Sequence, residues 1–283
     1  MKSTQAIRDG RSSAGSKPKL KVPIPHEHGA WAILYASFVV GWAAAASLSL
    51  IVLLILIATT GLFLAHEPLI KLLRGRRHGA RPENLRHWFN WLAIFAVPAL
   101  ATGLILLLYY RLWLLAIFGG TAGVLFCVHL YLAAQRQDRS AFGELLGIAG
   151  LTLTAPGVYA GVEGRVDWTA LIVWSLCLLY FGSGVFYVKM RVSRNLKPKE
   201  FGSRRSQCLG YHFLVLAILC VLALGLGLPW ILLLGFVPIL GRAFWHAFRS
   251  GGPLNLRRIG YLEVLYTIVF TILTGAGSLI SGF

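Results

Sequence analysis

The sequence predicts an all-α protein, a polytopic transmembrane bundle of nine helices. Three observations indicate this fold. The chain of 283 residues is 57% hydrophobic and only 13% charged, whereas soluble domains carry roughly 25% charged residues. Its mean hydropathy is +0.70. Long apolar stretches recur along the chain at about the 20 residues that a membrane-spanning helix needs.

The elements follow in order from the N-terminus. Residues 1–22 are rich in Ser, Gly, Lys and Arg, and we expect a disordered basic tail in the cytoplasm. The apolar run after this tail is too long for the roughly 7–15 residues of a signal-peptide core. Residues 23–283 are expected to form a single transmembrane helical domain. The nine predicted spans are 28–46, 48–72, 88–110, 112–134, 143–162, 167–190, 209–227, 229–247 and 259–281.

The basic residues predict how the chain crosses the membrane. Of the 27 Lys and Arg residues, only Arg111 and Arg165 fall in loops after odd-numbered spans. All others lie in the tail or near the loops after even-numbered spans. Because short cytoplasmic loops are enriched in Lys and Arg, this asymmetry predicts a cytoplasmic N-terminus and an external C-terminus in a bacterial inner membrane. The net charge of +17 is thus ascribed to orientation and anionic membrane lipids rather than to nucleic acid.

The titratable residues gather on the same side. All eight histidines, and every acidic residue except Glu163 and Asp167, lie at or near predicted cytoplasmic ends. The four cysteines show no CxxC spacing and are interpreted as core residues. Ionisable groups inside a membrane are costly and usually functional. We therefore expect the helices to close around a polar, basic cavity that opens to the cytoplasm.

The stretch "HEHGAW" begins the first span. Glu27 and His28 are open to two interpretations. They form an interfacial cap, in which an acid complements the helix dipole, or they point into the cavity, where carboxylate and imidazole would bind a metal or exchange a proton.

The stretch "LFLAHEPLIKLLRGRRHG" ends the second span. His66 and Glu67 lie well inside its apolar part, and Lys71 follows Glu67 at i+4. Residues at this spacing are neighbours on a helix. An internal Glu67–Lys71 ion pair and a ligand contact are therefore both open.

The stretch "YFGSGVFYVKMRVSRN" ends the sixth span with Tyr187, Lys189 and Arg191. The two basic side chains either extend to the membrane surface or face inward, where they would suit a phosphate or carboxylate head group. His212 in "YHF" and Glu263 in "RRIGYLEVLY" reach a similar depth. The complete set of candidate ligand-binding residues is Glu27, His28, His66, Glu67, Tyr187, Lys189, Arg191, His212 and Glu263.

Two of these stretches carry a family resemblance. "PHEHGAWAILYASFVVG", and "GSGVFYVKMRVSRN" followed by "YH", resemble the bacterial YwiC-like family of polytopic membrane proteins. The resemblance runs from about residue 23 to the C-terminus.

The plan of the chain shows a more distant likeness. Nine helices with long cytoplasmic loops after the second and sixth resemble the UbiA superfamily of intramembrane prenyltransferases. In that superfamily, aspartate-rich motifs at these two places hold Mg²⁺ against a prenyl diphosphate. This chain has His66 and Glu67 at the first place, and Tyr187, Lys189 and Arg191 at the second. A single carboxylate does not supply the oxygen ligands that such ions need.

Two functions are consistent with these residues. In the first, the protein binds an isoprenoid, a quinone or another lipid-like substrate, and whether it also transfers a group stays open. A transferase would need Glu27, Glu67 or Glu263 to hold a divalent metal. In the second, it is a metal- or haem-handling transporter or assembly factor whose metal ligands come from His28, His66, Glu67, His212 and Glu263. A catalytically silent accessory subunit is a third interpretation.

Overall fold

A computed structural model of the protein describes residues 22–25, 28–135, 137, 139–249 and 255–281. Within these ranges the regular secondary structure is helical, without a strand. The helices are α1 (His28–Ala45), α2 (Leu50–Arg77), α3 (Pro82–Leu104), α4 (Leu114–Ala134), α5 (Ala141–Thr152), α6 (Thr154–Glu163), α7 (Trp168–Leu196), α8 (Pro198–Gly225), α9 (Trp230–Leu234), α10 (Val237–Phe248) and α11 (Leu256–Ser281). α3 continues into a short π-helical stretch, Ile105–Tyr109. The predicted tail, apart from Val22, lies outside the described residues.

These helices confirm the predicted membrane bundle. In the described part of the chain, eight segments are long and apolar enough to cross a membrane. Six are α2, α3 with its π-helical extension, α4, α7, α8 and α11, and the other two join α5 with α6 and α9 with α10. α1 adds a shorter apolar helix over Gly29–Ala45. Each of the nine predicted spans coincides with one of these segments.

The short helix α1 lies at the centre of the bundle, against α5, α6, α7 and α11. It carries no acidic or basic residue in its first or last turn beyond His28, and Ser37 and Val40 are fully buried. At Gly41 a Cβ atom would collide with the backbone of Ala155 in α6. Small residues let membrane helices approach closely, which is how they pack without a hydrophobic driving force.

A proline divides the fifth span into α5 and α6. Pro156 has no N–H, so the carbonyl of Thr152 loses its usual helical partner. Nearby hydroxyls bond backbone carbonyls instead: the Thr152 side chain donates to Ile148 at 2.9 Å, and the Thr154 side chain donates to Leu151 at 2.8 Å. The break is tolerated in the membrane because neighbouring groups satisfy the backbone.

The N-terminal end of α7 is anchored by Asp167. Its carboxylate accepts the backbone N–H of Thr169 at 3.0 Å and the hydroxyl of Tyr159 in α6 at 2.9 Å, and it lies 3.3 Å from the Arg165 guanidinium. Burial alone would raise the pKa of Asp167, but these hydrogen bonds and Arg165 outweigh it and hold the pKa below its ordinary value. Asp167 thereby caps α7 and ties it to α6.

Aromatic residues form the core in the middle of the bundle. Tyr180 of α7 stacks on Phe270 of α11, with ring centroids 3.9 Å apart. Phe236, between α9 and α10, meets both rings edge-on. This layer joins the last two spans to α7. Beyond it, α7 continues towards the end of the bundle where the predicted site residues lie.

Candidate functional site

The predicted site residues lie at one end of the bundle, which we call the basic end. It comprises the start of α1, α5, α8 and α11 and the end of α2, α4, α7 and α10. The charge distribution predicts that this end faces the cytoplasm. Glu27 lies outside the described residues. α1 begins at His28, whose side chain also lies outside the described part of the chain.

His66 and Glu67 lie at the junction of α2 and α4. Glu67 forms the predicted ion pair with Lys71, at 3.1 Å. The His66 ring meets Phe126 of α4 edge-on, with centroids 5.1 Å apart, and its centroid lies 6.4 Å from that of His129. These side chains form a group of their own.

Lys189 joins α7 to the start of α5. Its ammonium group lies 3.0 Å from the Glu144 carboxylate and donates to the backbone carbonyl of Arg139 at 2.8 Å. Two alternatives were considered for Lys189, extension to the membrane surface and contact with a head group. Lys189 instead forms this contact, which ties two helices together.

His212 is enclosed in the core between α7 and α8. It is fully buried, with Nε2 2.9 Å from the hydroxyl of Ser183 and Nδ1 2.7 Å from the carbonyl oxygen of Cys208. A carbonyl only accepts, so Nδ1 carries the proton and Nε2 accepts from Ser183. Both ring nitrogens are thus engaged within the protein.

Glu263 and Tyr187 surround a buried arginine, Arg242 of α10. Arg242 is ion-paired with Glu263 of α11, and its guanidinium lies over the rings of Tyr187, at 4.4 Å, and Tyr266, at 5.3 Å. The hydroxyl of Tyr187 lies 3.4 Å from Nδ1 of His246. Three helices therefore meet at a charged and aromatic cluster.

Arg191 lies beside this cluster and is only 7% exposed. Its Nε and Nη1 are buried and have no hydrogen-bond partner among the described residues. Arg191 and Arg242 both act electrostatically on Tyr187 and on His246. The orphaned guanidinium thus belongs to the same group as the Arg242–Glu263 pair.

Neighbouring arginines add positive charge there. Arg194 donates to the carbonyl oxygens of Arg249, at 2.6 Å, and Ala247, at 3.3 Å. It thereby satisfies the C-terminal carbonyls of α10, as basic residues at helix ends do. Arg205 of α8 lies over the ring of Phe248 at 4.7 Å. Among the described residues named in this group, Glu263 supplies the negative charge.

Two cavities in the described part of the chain can be compared with the predicted chamber. One of about 20 Å³ lies within the cluster, which is room for about one water molecule. It is lined by Tyr187, Arg242, His246, Ile259, Leu262 and Tyr266. The other is an open apolar groove of about 420 Å³. It is lined by Tyr35, Leu56, Ile57, Thr60, Gly61, Leu64, Ile94, Phe95 and Pro98.

The one shared chamber expected from the sequence stays a prediction. Across the described ranges, Glu67 pairs with Lys71, Lys189 with Glu144 and Glu263 with Arg242. His212 is hydrogen-bonded to Ser183 and Cys208. Most of the charged candidates thus have partners within the protein, whereas two nitrogens of Arg191 lack one among the described residues. No three His, Cys, Asp or Glu side chains in the described part of the chain are grouped to hold a metal.

Sequence reasoning missed Arg242, His246 and His129 as members of these groups. Arg242 was used only to predict the orientation of the chain in the membrane. Arg242 is nevertheless a lone cation within the apolar stretch "VPILGRAFWHAF" of α10. Its helical neighbour His246 follows at i+4, which places both on one face. That combination was the available signal.

Taken together, the helices and the basic end define a multi-pass helical membrane protein. The family model described as YwiC-like protein matches residues 24–159. A relative in Bacillus subtilis (strain 168), named uncharacterized protein YwiC, is 27% identical over 89% of this chain and 96% of its own length. A relative in Haemophilus influenzae, named only as an uncharacterized protein, is 24% identical over 90% of this chain and 98% of its own length. This chain is thus a multi-pass membrane protein that matches the YwiC-like family over residues 24–159, where the first of the two predicted motifs lies.

No solved structure matches the chain. The likeness to the UbiA plan therefore stays a prediction, as do the bacterial inner membrane and the direction in which the termini face.

Proposed function

We propose that the protein binds a lipid-like molecule with an anionic head group at the basic end, and that Arg191 holds the head group. The observation that carries this proposal is the buried guanidinium of Arg191, whose Nε and Nη1 lack acceptors among the described residues. The first candidates are isoprenoids that carry a phosphate.

The free-energy cost of burying the Arg191 guanidinium indicates that a hydrogen-bond partner is missing. A buried polar group without a hydrogen bond costs about 1–3 kcal/mol, and more when it is charged. Arg191 is 7% exposed and lies among further arginines rather than beside a free carboxylate. An anion bound beside Arg191 would accept hydrogen bonds from these nitrogens and so offset the free-energy cost of their burial.

The chemistry of arginine favours a phosphate or carboxylate. The guanidinium presents planar, paired N–H donors that match these anions with two parallel hydrogen bonds. Nε and Nη1 of Arg191 lie on different edges of the guanidinium, and each has an N–H group without an acceptor among the described residues. Arg242 is less available, since Glu263 already neutralises it.

The position of Arg191 favours a lipid over a soluble anion. It lies near the end of α7, a 29-residue helix that is apolar up to Phe186. A head group held here would keep its tail beside apolar helices. This is the distribution of groups that an amphiphile at the membrane surface requires.

Binding is proposed without group transfer. A divalent metal for diphosphate departure needs several oxygen ligands. In the described part of the chain, Glu263 is paired with Arg242 and Glu67 with Lys71. These carboxylates are therefore engaged by cations.

The test compares a lipid with and without its anionic head. Radiolabelled geranylgeranyl monophosphate and geranylgeraniol are added to detergent-purified protein, and bound ligand is counted. We expect saturable binding of the phosphate only, weakened about tenfold or more in Arg191→Gln, because a hydrogen bond to a charged group is worth about 1.5–3 kcal/mol. Arg257→Gln, at an exposed position of α11, is the matched control and should bind as wild type.

Equal binding of the phosphate and the alcohol would show that the head group is not recognised. Equal affinity of wild type and Arg191→Gln would remove Arg191 from the site. Either result contradicts the proposal.

A further inference from the structure

The pair of histidines between α2 and α4 has no part in the proposed lipid site. The ring centroids of His66 and His129 lie 6.4 Å apart with their planes inclined by 43°. Nδ1 of His129 is buried and has no hydrogen-bond partner among the described residues. A buried polar atom without a partner calls for an explanation, such as an ordered water or an ion.

Packing holds both rings in place. Phe126 of α4 packs edge-on against His66. On the other side, Gly147 of α5 faces His129, whose Cε1 and Nδ1 lie 3.6 and 3.7 Å from where a Cβ on Gly147 would be. The His129 ring therefore packs beside Gly147 at ordinary van der Waals distance. The two imidazoles are positioned by three helices.

We infer that His66 and His129 form an exchangeable site for a divalent transition-metal cation. Two imidazoles that share a tetrahedral zinc ion, at about 2.0–2.1 Å from each nitrogen, have ring centroids roughly 5 Å apart. The observed 6.4 Å is longer by about 1 Å than this tetrahedral separation, and side-chain rotations that bring the rings together would close the difference. Neutral imidazole is a ligand that suits zinc, copper, iron and nickel.

The number of protein ligands determines the kind of site. Structural zinc sites have four protein ligands, and sites with fewer leave positions open to water or to a further ligand. In the described ranges no third His, Cys, Asp or Glu joins the pair, and the adjacent Glu67 is engaged by Lys71. The cation would thus retain open positions, as a site for uptake and release requires.

The experiment measures metal binding directly. Tag-free protein in detergent is titrated with Zn²⁺ by calorimetry and with Co²⁺ by visible absorption. We expect about one ion per chain, and at least a tenfold loss of affinity in both His66→Gln and His129→Gln. The matched control is His78→Gln, at an exposed histidine that follows α2, which should bind as wild type.

Thermal unfolding separates lost binding from lost structure. A ligand that binds only the folded state raises its stability by mass action, so Zn²⁺ should raise the melting temperature of wild type and of His78→Gln but not of the two site variants. If a site variant does not fold, electron paramagnetic resonance of Cu²⁺-loaded wild type is the deciding measurement. We expect its spectrum to show coupling of the Cu²⁺ electron spin to two nitrogens. Wild-type protein that binds no ion, or site variants with unchanged affinity, would overturn the inference in favour of a buried water.

Discussion

At the scale of single residues, two buried arginines at the basic end differ in their partners. Arg242 has Glu263 as its counter-ion and two tyrosine rings against its guanidinium. Arg191 is equally buried, yet two of its nitrogens have no acceptor among the described residues, compared with one, Nε, in Arg242. A buried charge that is retained at a cost in stability is typical of a residue kept for binding.

This difference predicts opposite effects of one substitution. Arg191→Met removes an unpaired buried charge and should leave the free energy of unfolding unchanged or raised. Arg242→Met leaves Glu263 without its cation and should lower the free energy of unfolding by about 3 kcal/mol. Denaturant unfolding in detergent measures both. A large destabilisation by Arg191→Met would mean that Arg191 has a structural partner.

The residue types of the site were predictable from sequence, but their pairing was not. Glu67 and Lys71 are separated by four residues on one helix, so the ion pair followed from helical spacing alone. Glu263 and Arg242 are on different helices, and only packing shows that they meet. For the same reason His212 was predicted as a ligand, although Ser183 and Cys208 already engage both of its nitrogens.

At the scale of elements, α7 links the two ends of the bundle. Asp167 caps its N-terminal end, and Lys189 and Arg194 bind α5 and the end of α10 near its C-terminal end. Because the helix is held at both ends, Tyr187 and Arg191 are presented at a defined position on it. The cap should therefore affect the stability of the whole helix.

Asp167→Ala should lower the free energy of unfolding by about 1 kcal/mol at neutral pH, because the N-cap is lost. The pKa of Asp167 is lower in the folded protein than its ordinary value, so its ionic contribution is complete above an unfolded pKa of about 3.9. That contribution is lost as the pH falls through the lower folded pKa. Unfolding of wild type and Asp167→Ala between pH 7 and pH 3 measures the difference.

Asp167→Asn is the informative control, since asparagine is also a good N-cap but carries no charge. Its stability difference from wild type should decrease with acidification. A difference that stays constant from pH 7 to pH 3 would contradict an ionic role for this carboxylate.

At the scale of the whole molecule, the basic end depends on the direction of the chain in the membrane. The charge asymmetry predicts that Arg76 faces the cytoplasm and Val166 the outside. Both positions are exposed. Arg76→Cys and Val166→Cys, each introduced after replacing the four native cysteines with serine, test this in intact cells.

A membrane-impermeant maleimide should label Val166→Cys in intact cells and Arg76→Cys only after the membrane is opened. Labelling in the reverse order would place the basic end outside. The proposed head-group site would then face the wrong leaflet for a cytoplasmic substrate.

The sequence by itself determined the helical bundle, its nine apolar segments in the described part of the chain and the resemblance to the YwiC-like family. Hydropathy suffices for this because each spanning helix satisfies its backbone hydrogen bonds internally, so its length and apolarity are local properties of the chain. The tertiary structure decided which polar side chains meet across helices. It engaged His212 and Glu263 with partners, left Arg191 without one in the described part of the chain, and brought His129 to His66. Such contacts depend on how the helices are rotated and packed. In apolar helices this packing is determined only by the shapes of the side chains.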